Sequence, residues 1–392
     1  MRCFFILWLI LIALASLQGA SLAADTLPDQ RNVYFKGYVK YLHQIAFVDL
    51  IRELQTSNLI HNRLQFQWKP NERFTFRTDV RNRLYYGEQI RSVPQFDRLL
   101  ENPTEFIHLS NAWYSKGAVV AHSTIDRLYM DITRKKVEVT VGRQRINWGI
   151  NTLWTPNDIF NTYNFFDFDY EERPGSDAIR VQYTPKTFST FEAAYAPGKK
   201  ADGNVGAVLY RFNKWNYDIQ SFAGLIYSDW TAGVGWAGNL GDAGFKGETT
   251  WLEPNKKTSP NRSRDVLSTA TLDYGWEHGW YTGVSYLYHQ SGGDTFNSVA
   301  SLYAMRPSLR TFMPFRHSGS IIINKTLSPL MTAGGVFIYS NTSNTLIAVP
   351  SLTYTPADNW EVYLTAQLFF ANQESRYKSL GNMIFLRMKL AF

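Results

Sequence analysis

Apolar and polar residues alternate with a period of two over much of this chain, and the last ten residues give the clearest example. One face of an extended strand over 383–392 would carry only apolar side chains: Ile384, Leu386, Met388, Leu390 and Phe392. The opposite face would carry Phe385, Arg387, Lys389 and Ala391. Such a strand has one face in an apolar medium and one in a polar medium. A packed soluble core and a lipid bilayer both satisfy the pattern. The alternation alone therefore does not decide between a soluble sheet and a membrane strand.

A second stretch, 62–83, predicts a hairpin that turns at Pro70-Asn71-Glu72. Its apolar face consists of Leu64, Phe66, Trp68, Phe74, Phe76 and Val80. Its other face is almost continuously basic, with Arg63, Arg73, Arg77, Arg81 and Arg83. A run of arginines is difficult to accommodate in a soluble sandwich but faces a water-filled lumen without cost. The hairpin therefore favours the membrane interpretation.

The same alternation predicts strands along the whole chain. After 33–43 and the hairpin they fall at about 177–184, 188–196, 205–212, 216–227, 230–238, 243–252, 265–274, 280–289, 316–325, 331–340, 345–355, 360–370 and 383–392. Two more flank Arg134-Lys135-Lys136, and 44–57 has the spacing of a short helix or plug. Short turns alternate with longer connections near 87–122, 150–176 and 290–315, as in outer-membrane barrels. The predicted fold is all-β, a transmembrane antiparallel barrel of about 18 strands, with about 16 as the alternative.

The N-terminus predicts export. Arg2 precedes an apolar run from Phe4 to Ala15, and Ser21-Leu22-Ala23 offers small residues for cleavage. The run is shorter than the roughly 18 residues of a membrane helix, so residues 1–23 are predicted to be a signal peptide and 24–392 the barrel. The single cysteine, Cys3, lies inside the signal peptide, which removes thiol chemistry from the mature chain. The predicted location is the outer membrane.

A motif in the middle of the chain carries a family resemblance. Residues 141–178 contain Gly142-Arg143-Gln144, Trp148-Gly149 and Arg173-Pro174-Gly175. This G-R-Q-x-x-x-W-G … R-P-G arrangement resembles a family of Gram-negative porin-like outer-membrane barrels, related to alginate-export-type and uncharacterised barrels. The resemblance implies a channel but not its cargo. The terminal strand, which ends on Phe392, also resembles the segment that barrel-assembly machinery reads, so that machinery is a predicted partner.

The loop that follows this motif supplies most of the rim candidates: Arg143, Gln144, Arg145, Trp148, Asp158, Asp167, Asp169 and Arg173. If Val137, Val139 and Val141 face lipid, parity places Arg143 and Arg145 outward too. Either a bulge at Gly142 turns them into the lumen or they contact lipopolysaccharide phosphates at the outer leaflet. The acidic, aromatic loop either folds inward and narrows the pore or rests on the rim. Asp167 and Asp169 lack the pattern of a calcium loop, so no metal and no cofactor are predicted.

Parity also gives a set of candidate pore-lining residues, which are mostly basic: Lys36, Lys40, Arg63, Arg73, Arg77, Arg81, Arg83, Arg127, Arg180, Arg387 and Lys389. The acidic members include Asp79, Asp131, Glu138, Glu192, Asp218, Glu248 and Glu361. The first strands and the last strand are neighbours when a barrel closes, so the basic residues form one wall. Segregated charge of this kind focuses anions.

Three functions remain at this point. The first is an outer-membrane channel for small polar and anionic solutes. The second is a structural, adhesion or envelope-assembly barrel with a plugged lumen. The third is a lipid-modifying enzyme, which receives little support because the seven histidines are scattered and no hydrolase or nucleotide-binding motif is present. The net charge of +7 is spread over strands, which argues against nucleic acid. Outer-membrane lipid and lipopolysaccharide are the predicted surroundings, and the oligomeric state stays open.

Overall fold

A computed structural model describes residues 32–48, 54–101, 105–162, 173–200, 203–257, 259, 261–293, 308–373 and 376–392. Val33–Phe392 forms one compact unit. The predicted signal peptide, residues 1–23, lies outside the described residues, and so do Asp167 and Asp169.

Nineteen strands occur in the described residues. They are β1 (Val33–Phe47), β2 (Gln55–Asn71), β3 (Phe74–Gly87), β4 (Ser110–Lys116), β5 (Val119–Arg134), β6 (Val137–Gln144), β7 (Ser176–Lys186), β8 (Ser189–Ala196), β9 (Val205–Lys214), β10 (Tyr217–Ile226), β11 (Asp229–Leu240), β12 (Ala243–Pro254), β13 (Asp265–Trp276), β14 (Trp280–His289), β15 (His317–Ser328), β16 (Met331–Ser340), β17 (Thr345–Ala357), β18 (Trp360–Gln373) and β19 (Arg376–Ala391).

The strands close into an antiparallel barrel. Each strand pairs with its sequence neighbour except around β4, where β3 pairs directly with β5. The ring closes between β1 and β19, with Lys40 opposite Lys389 and Leu42 opposite Arg387. β4 pairs with the outer half of β5, beyond the point where the short β6 has ended. Eighteen strands therefore form the wall, and the predicted barrel with 18 strands is confirmed.

Helix is scarce in this barrel. Two short helices, α1 (Glu88–Ser92) and α2 (Phe96–Leu99), lie between β3 and β4, and 3₁₀ turns occur at Glu277–Gly279 and Leu309–Thr311. Among the described residues, no helix has the length and apolar composition needed to cross a membrane.

One sequence-based expectation about connections is wrong. The helix or plug expected over 44–57 is absent from its described part, because Gln44–Phe47 continue β1 and Gln55–Ser57 begin β2, with Gln44 opposite Ser57. The long connection predicted over 87–122 contains local structure, namely β4 and the start of β5.

The two faces of the wall differ in chemistry. Outward side chains on β9 to β12 are large, apolar and exposed, for example Val208, Leu225, Trp230 and Val234. Inward positions on the same strands are buried and often polar, for example Gln220 and Glu248. Two connections from the long-loop end, 145–162 and 308–316, pack against the inward face. The barrel therefore has a lipid-compatible exterior and a partly filled interior.

Candidate functional site

The inward loop 145–162 begins where β6 stops pairing. Gly142 has φ of +119°, and a Cβ there would lie 2.2 Å from the Leu128 carbonyl oxygen, so only glycine fits this close approach. The Gln144 amide donates to the carbonyl oxygens of Thr140 and Ala178, at 3.1 and 3.2 Å. The chain then leaves the wall and enters the lumen.

Glu248 of β12 is the main anchor of this loop. Its side chain is 0% exposed, and Oε1 accepts hydrogen bonds from the backbone N–H groups of Ile150 and, at 2.6 Å, Asn151. Its other oxygen, Oε2, accepts from the backbone N–H of Asn157 at 2.8 Å. Three loop donors thus converge on one carboxylate of the wall.

Asn157 and Trp148 secure the loop on either side of Glu248. The Asn157 amide donates to the Val234 carbonyl at 3.0 Å and accepts from the Thr250 hydroxyl at 2.8 Å. The Trp148 indole N–H donates to Glu192 at 2.7 Å, and the Trp148 ring packs edge-on against Phe160. Gly235, opposite Glu248, leaves room for Asn157, because a Cβ there would lie 2.9 Å from its amide nitrogen.

The second inward segment, 308–316, meets the first across the lumen. Met313 and Phe315 pack in one buried cluster with Leu153 and Trp154, and Leu309 packs in another with Trp148. Its position is fixed by Arg310, which donates to Asp229 at 2.6 Å. The two segments fill part of the lumen, and open space remains on one side of the barrel.

A cavity of about 300 Å³ remains on the side of β3 and β5 to β7. Eight residues line it: Arg77, Arg127, Tyr129, Asp131, Thr140, Gln144, Arg145 and Arg180. Four of the eight are arginines and one is an acid, so the lining has a positive formal charge. Arg145 is exposed and extends into this space from the loop.

Acidic neighbours offset part of this charge. Arg77 donates to Asp79 at 2.8 and 2.9 Å, and Arg180 forms an ion pair with Glu138 at 2.6 Å. Arg127 instead donates to two backbone carbonyls, those of Asp126 and Arg173, at 2.8 and 2.7 Å. The cavity is therefore basic, but less so than a count of arginines indicates.

Other members of the predicted basic wall also have acidic partners. Arg63, which is 1% exposed, binds Asp79 at 3.1 Å and Asp126 at 2.8 Å. Arg81 joins this network through Asp126 at 3.2 Å. Asp126 is the extra residue of a register shift in β5, which turns it inward beside Arg127. Parity alone did not reveal Asp126 as an interior residue.

The remaining wall candidates fall in three environments. Arg83 contacts His122 at 3.2 Å, and Arg387 forms an ion pair with Glu361 at 2.5 Å. Lys40 is buried, and the Lys389 ammonium lies 4.8 Å from the Tyr38 ring centroid. Arg73 is exposed in the β2–β3 turn, and Lys36 is exposed on β1, opposite Gln65.

The Arg63 network gives a stability prediction. Replacing Arg63 with Ala leaves Asp79 and Asp126 with one fewer cationic partner in a buried setting, which typically costs about 3–5 kcal/mol. We expect a clear fall in the urea midpoint of unfolding for the purified protein. Arg73→Ala, the same change at an exposed position, should leave the midpoint nearly unchanged. Equal effects of the two substitutions would contradict the network.

The sequence left two environments open for Arg143, the lumen and the lipopolysaccharide of the outer leaflet. The structure places Arg143 in neither of them. Its side chain is 2% exposed and donates to Asp177 at 2.8 and 2.9 Å. It also contacts Glu105 at 3.2 Å and the carbonyl oxygens of Ile125 and Ile107. The segment before β4 covers it, so Arg143 is part of the wall and cannot reach lipopolysaccharide. Arg145, by contrast, does lie inward.

Asp158 and Arg173, two further rim candidates, form an ion pair inside the loop. Asp158 is 1% exposed. Burial raises the pKa of Asp158 to about 6, although the Arg173 guanidinium acts in the opposite direction. Between pH 3.8 and about 6, buried Asp158 therefore keeps a proton that a solvated aspartate would release.

This shift predicts a pH dependence of loop seating. The seated loop binds the proton up to a pH of about 6, whereas the solvated carboxyl releases it near 3.8. Seating is thus most stable at the acidic end and weakens as the pH rises between these values. We expect current fluctuations in planar bilayers to increase over that window and level off above it. In Asp158→Asn, which cannot titrate, this part of the pH dependence should vanish; its persistence would contradict the assignment.

Solved structures with this architecture include outer-membrane porins. A BenF-like porin from Pseudomonas fluorescens Pf-5 has a TM-score of 0.59 at 10% identity, covering 92% of this chain and 99% of that one. Pseudomonas aeruginosa OccK8 (OprE) has a TM-score of 0.58 at 10% identity, covering 92% and 98%. Acinetobacter baumannii OccAB4 has a TM-score of 0.56 at 9% identity, covering 93% and 99%. At these identities the similarity establishes the fold.

The sequence comparisons add nothing to this. No protein-family model matches the chain, and no curated protein matches it either.

Several residues that build the site were not recognised from the sequence. Parity places Glu248 on the inner face but does not show its three loop donors, which come from a segment 91 to 98 residues away in the chain. Gln220 and the segment 308–316 carried no distinguishing pattern. A usable signal was the pairing of a small and an acidic inward residue, Gly235 and Glu248, on neighbouring strands.

Proposed function

We propose that this protein is an outer-membrane channel for small polar solutes, with a preference for anions. The observation that carries the proposal is the cavity lined by Arg77, Arg127, Arg145 and Arg180, with Asp131 as the single acid among its lining residues. A basic constriction raises the local concentration of anions and lowers that of cations. The barrel wall supports this function by its exposed apolar exterior and by its likeness in fold to porins.

Selection in this channel needs no catalytic residue. Loop 145–162, held by Glu248, and segment 308–316 restrict the lumen, and the solute passes the arginine side of what remains. Guanidinium groups bind carboxylate and phosphate oxygens with paired hydrogen bonds, so small organic acids and phosphate esters are the solute class that this chemistry fits. Outer-membrane lipid, lipopolysaccharide and the barrel-assembly machinery belong to the proposal as surroundings and partners.

The alternative is a plugged barrel with a structural or adhesive role. It is favoured by one observation, the two apolar clusters that the inward segments build across the lumen. Planar-bilayer recording of the refolded protein separates the two functions. Discrete single-channel currents support the channel. A refolded, inserted protein that passes no current, and that does not admit small organic acids in a liposome-swelling assay, supports the plugged barrel and overturns our proposal.

A further inference from the structure

The turns at the short-turn end of the barrel divide into two arcs of opposite character. The turns from β2–β3 through β9–β10 carry seven exposed basic residues, Lys69, Arg73, Arg134, Lys135, Lys136, Lys186 and Lys214, together with Glu72 and Asp218. We name these seven residues the basic arc. The turns β11–β12, β13–β14 and β17–β18 carry Asp242, Glu277 and Asp358. The strands below the basic arc are consecutive in the barrel, so the positive charge is continuous along one side.

Two of these turns place large side chains where the backbone disfavours them. Lys135 has φ of +55° and Trp215, next to Lys214, has φ of +57°. Glycine, asparagine or aspartate adopts this left-handed conformation more readily than other residues do. Two-residue hairpin turns require this conformation, so Lys135 and Trp215 lie at the tips of tight turns.

Aromatic residues set the depth of the basic arc. Trp215 is 76% exposed and Phe188, in the next turn, is 73% exposed. The Lys214 ammonium lies 4.2 Å from the Trp215 ring centroid, and the Lys69 ammonium lies 5.9 Å from the Tyr34 ring centroid. Exposed aromatic rings on a barrel lie at the membrane–water interface, at the level of the lipid headgroups. The cations paired with them lie at the same level.

We propose that the basic arc binds the phosphodiester headgroups of anionic glycerophospholipids in the inner leaflet of the outer membrane. Short turns face the periplasm in barrels of this type, so the basic arc meets that leaflet. A peptidoglycan carboxylate would also attract lysine, but it would not require exposed rings beside the cations. The inference rests on the membrane insertion that is part of the proposed function, and it is independent of conduction.

Native mass spectrometry of the detergent-purified protein tests the proposal. The probes are palmitoyl-oleoyl phosphatidylglycerol and, as the zwitterionic comparison, palmitoyl-oleoyl phosphatidylcholine. The test variant is Lys135→Gln with Lys136→Gln and Lys214→Gln. Its matched control makes the same change at the opposite end of the barrel, Lys199→Gln with Lys200→Gln and Lys257→Gln. A second variant, Lys69→Gln with Arg73→Gln and Lys186→Gln, changes three further residues of the basic arc.

We expect the wild-type protein and the control to bind phosphatidylglycerol in preference to phosphatidylcholine. Each arc variant removes three cations from the membrane surface, so it should lose roughly 10- to 100-fold of that preference. No preference in the wild-type protein, or an equal loss in the control, overturns the proposal. So does a result in which isolated peptidoglycan, but not lipid, distinguishes wild type from the arc variants. Single-channel currents of the same variants report on conduction separately.

Discussion

Replacing Glu248 with Ala should increase the single-channel conductance and make the current noisier. The substitution removes the acceptor of three loop N–H groups, those of Ile150, Asn151 and Asn157. Each buried donor left without a partner costs about 1 kcal/mol at the lower end of the usual range. Three such donors weaken loop seating by about 3 kcal/mol, which raises the population of released loops about 100-fold.

Two controls accompany Glu248→Ala. One changes another glutamate of the same strand, and the other is a milder change at Glu248 itself. Glu253→Ala changes a glutamate on the outer face of β12 and should leave the conductance at the wild-type value. Glu248→Gln keeps one acceptor oxygen and should give an intermediate conductance. If the Ala variant inserts and conducts like the wild-type protein, Glu248 does not set the width of the lumen.

Replacing Arg145 with Glu should reverse or abolish the preference of the channel for anions over cations. Arg145 lines the cavity from the loop, and the substitution moves the charge of a 300 Å³ space by two units. A charge close to the path of a permeating ion is weakly screened there, because the low-dielectric wall surrounds a small volume of water. We expect the ratio of anion to cation permeability to fall about ten-fold. The measurement is the reversal potential in a salt gradient.

Arg73→Glu provides the matched control for Arg145, because it makes the same change at an exposed position outside the cavity. Its effect on the permeability ratio should be small, since solvent and salt screen exposed charge. Arg145→Gln removes one charge unit rather than two and should fall between the wild-type protein and the Glu variant. Equal shifts for Arg73→Glu and Arg145→Glu would show that total charge, and not the cavity, determines selectivity.

The alternation of the sequence predicted the barrel because its cause is simple. A strand between lipid and a polar interior repeats every two residues, and β14 and β16 begin and end at the residues that the pattern indicated. The pattern failed at 44–57 because polar and apolar residues mix on one face of the wall there. Gln44 lies opposite Ser57 and Ala46 lies opposite Gln55, so the contrast between the faces is lost.

The candidate site was less predictable, for a physical reason in each case. Parity assigns a side chain to a face, but it does not include a segment that later covers that face. Arg143 is therefore buried in the wall by residues 105–109, although its strand position points outward. The cavity itself exists only because loop 145–162 folds inward onto Glu248, a contact between distant parts of the chain.

The central claim is that the arginine-lined cavity makes this barrel an anion-preferring channel. The most direct test is the reversal potential of the wild-type protein, refolded into planar bilayers and recorded across a gradient of potassium chloride. We predict a reversal potential displaced towards the chloride equilibrium potential. A reversal potential displaced towards the potassium equilibrium potential would contradict the account.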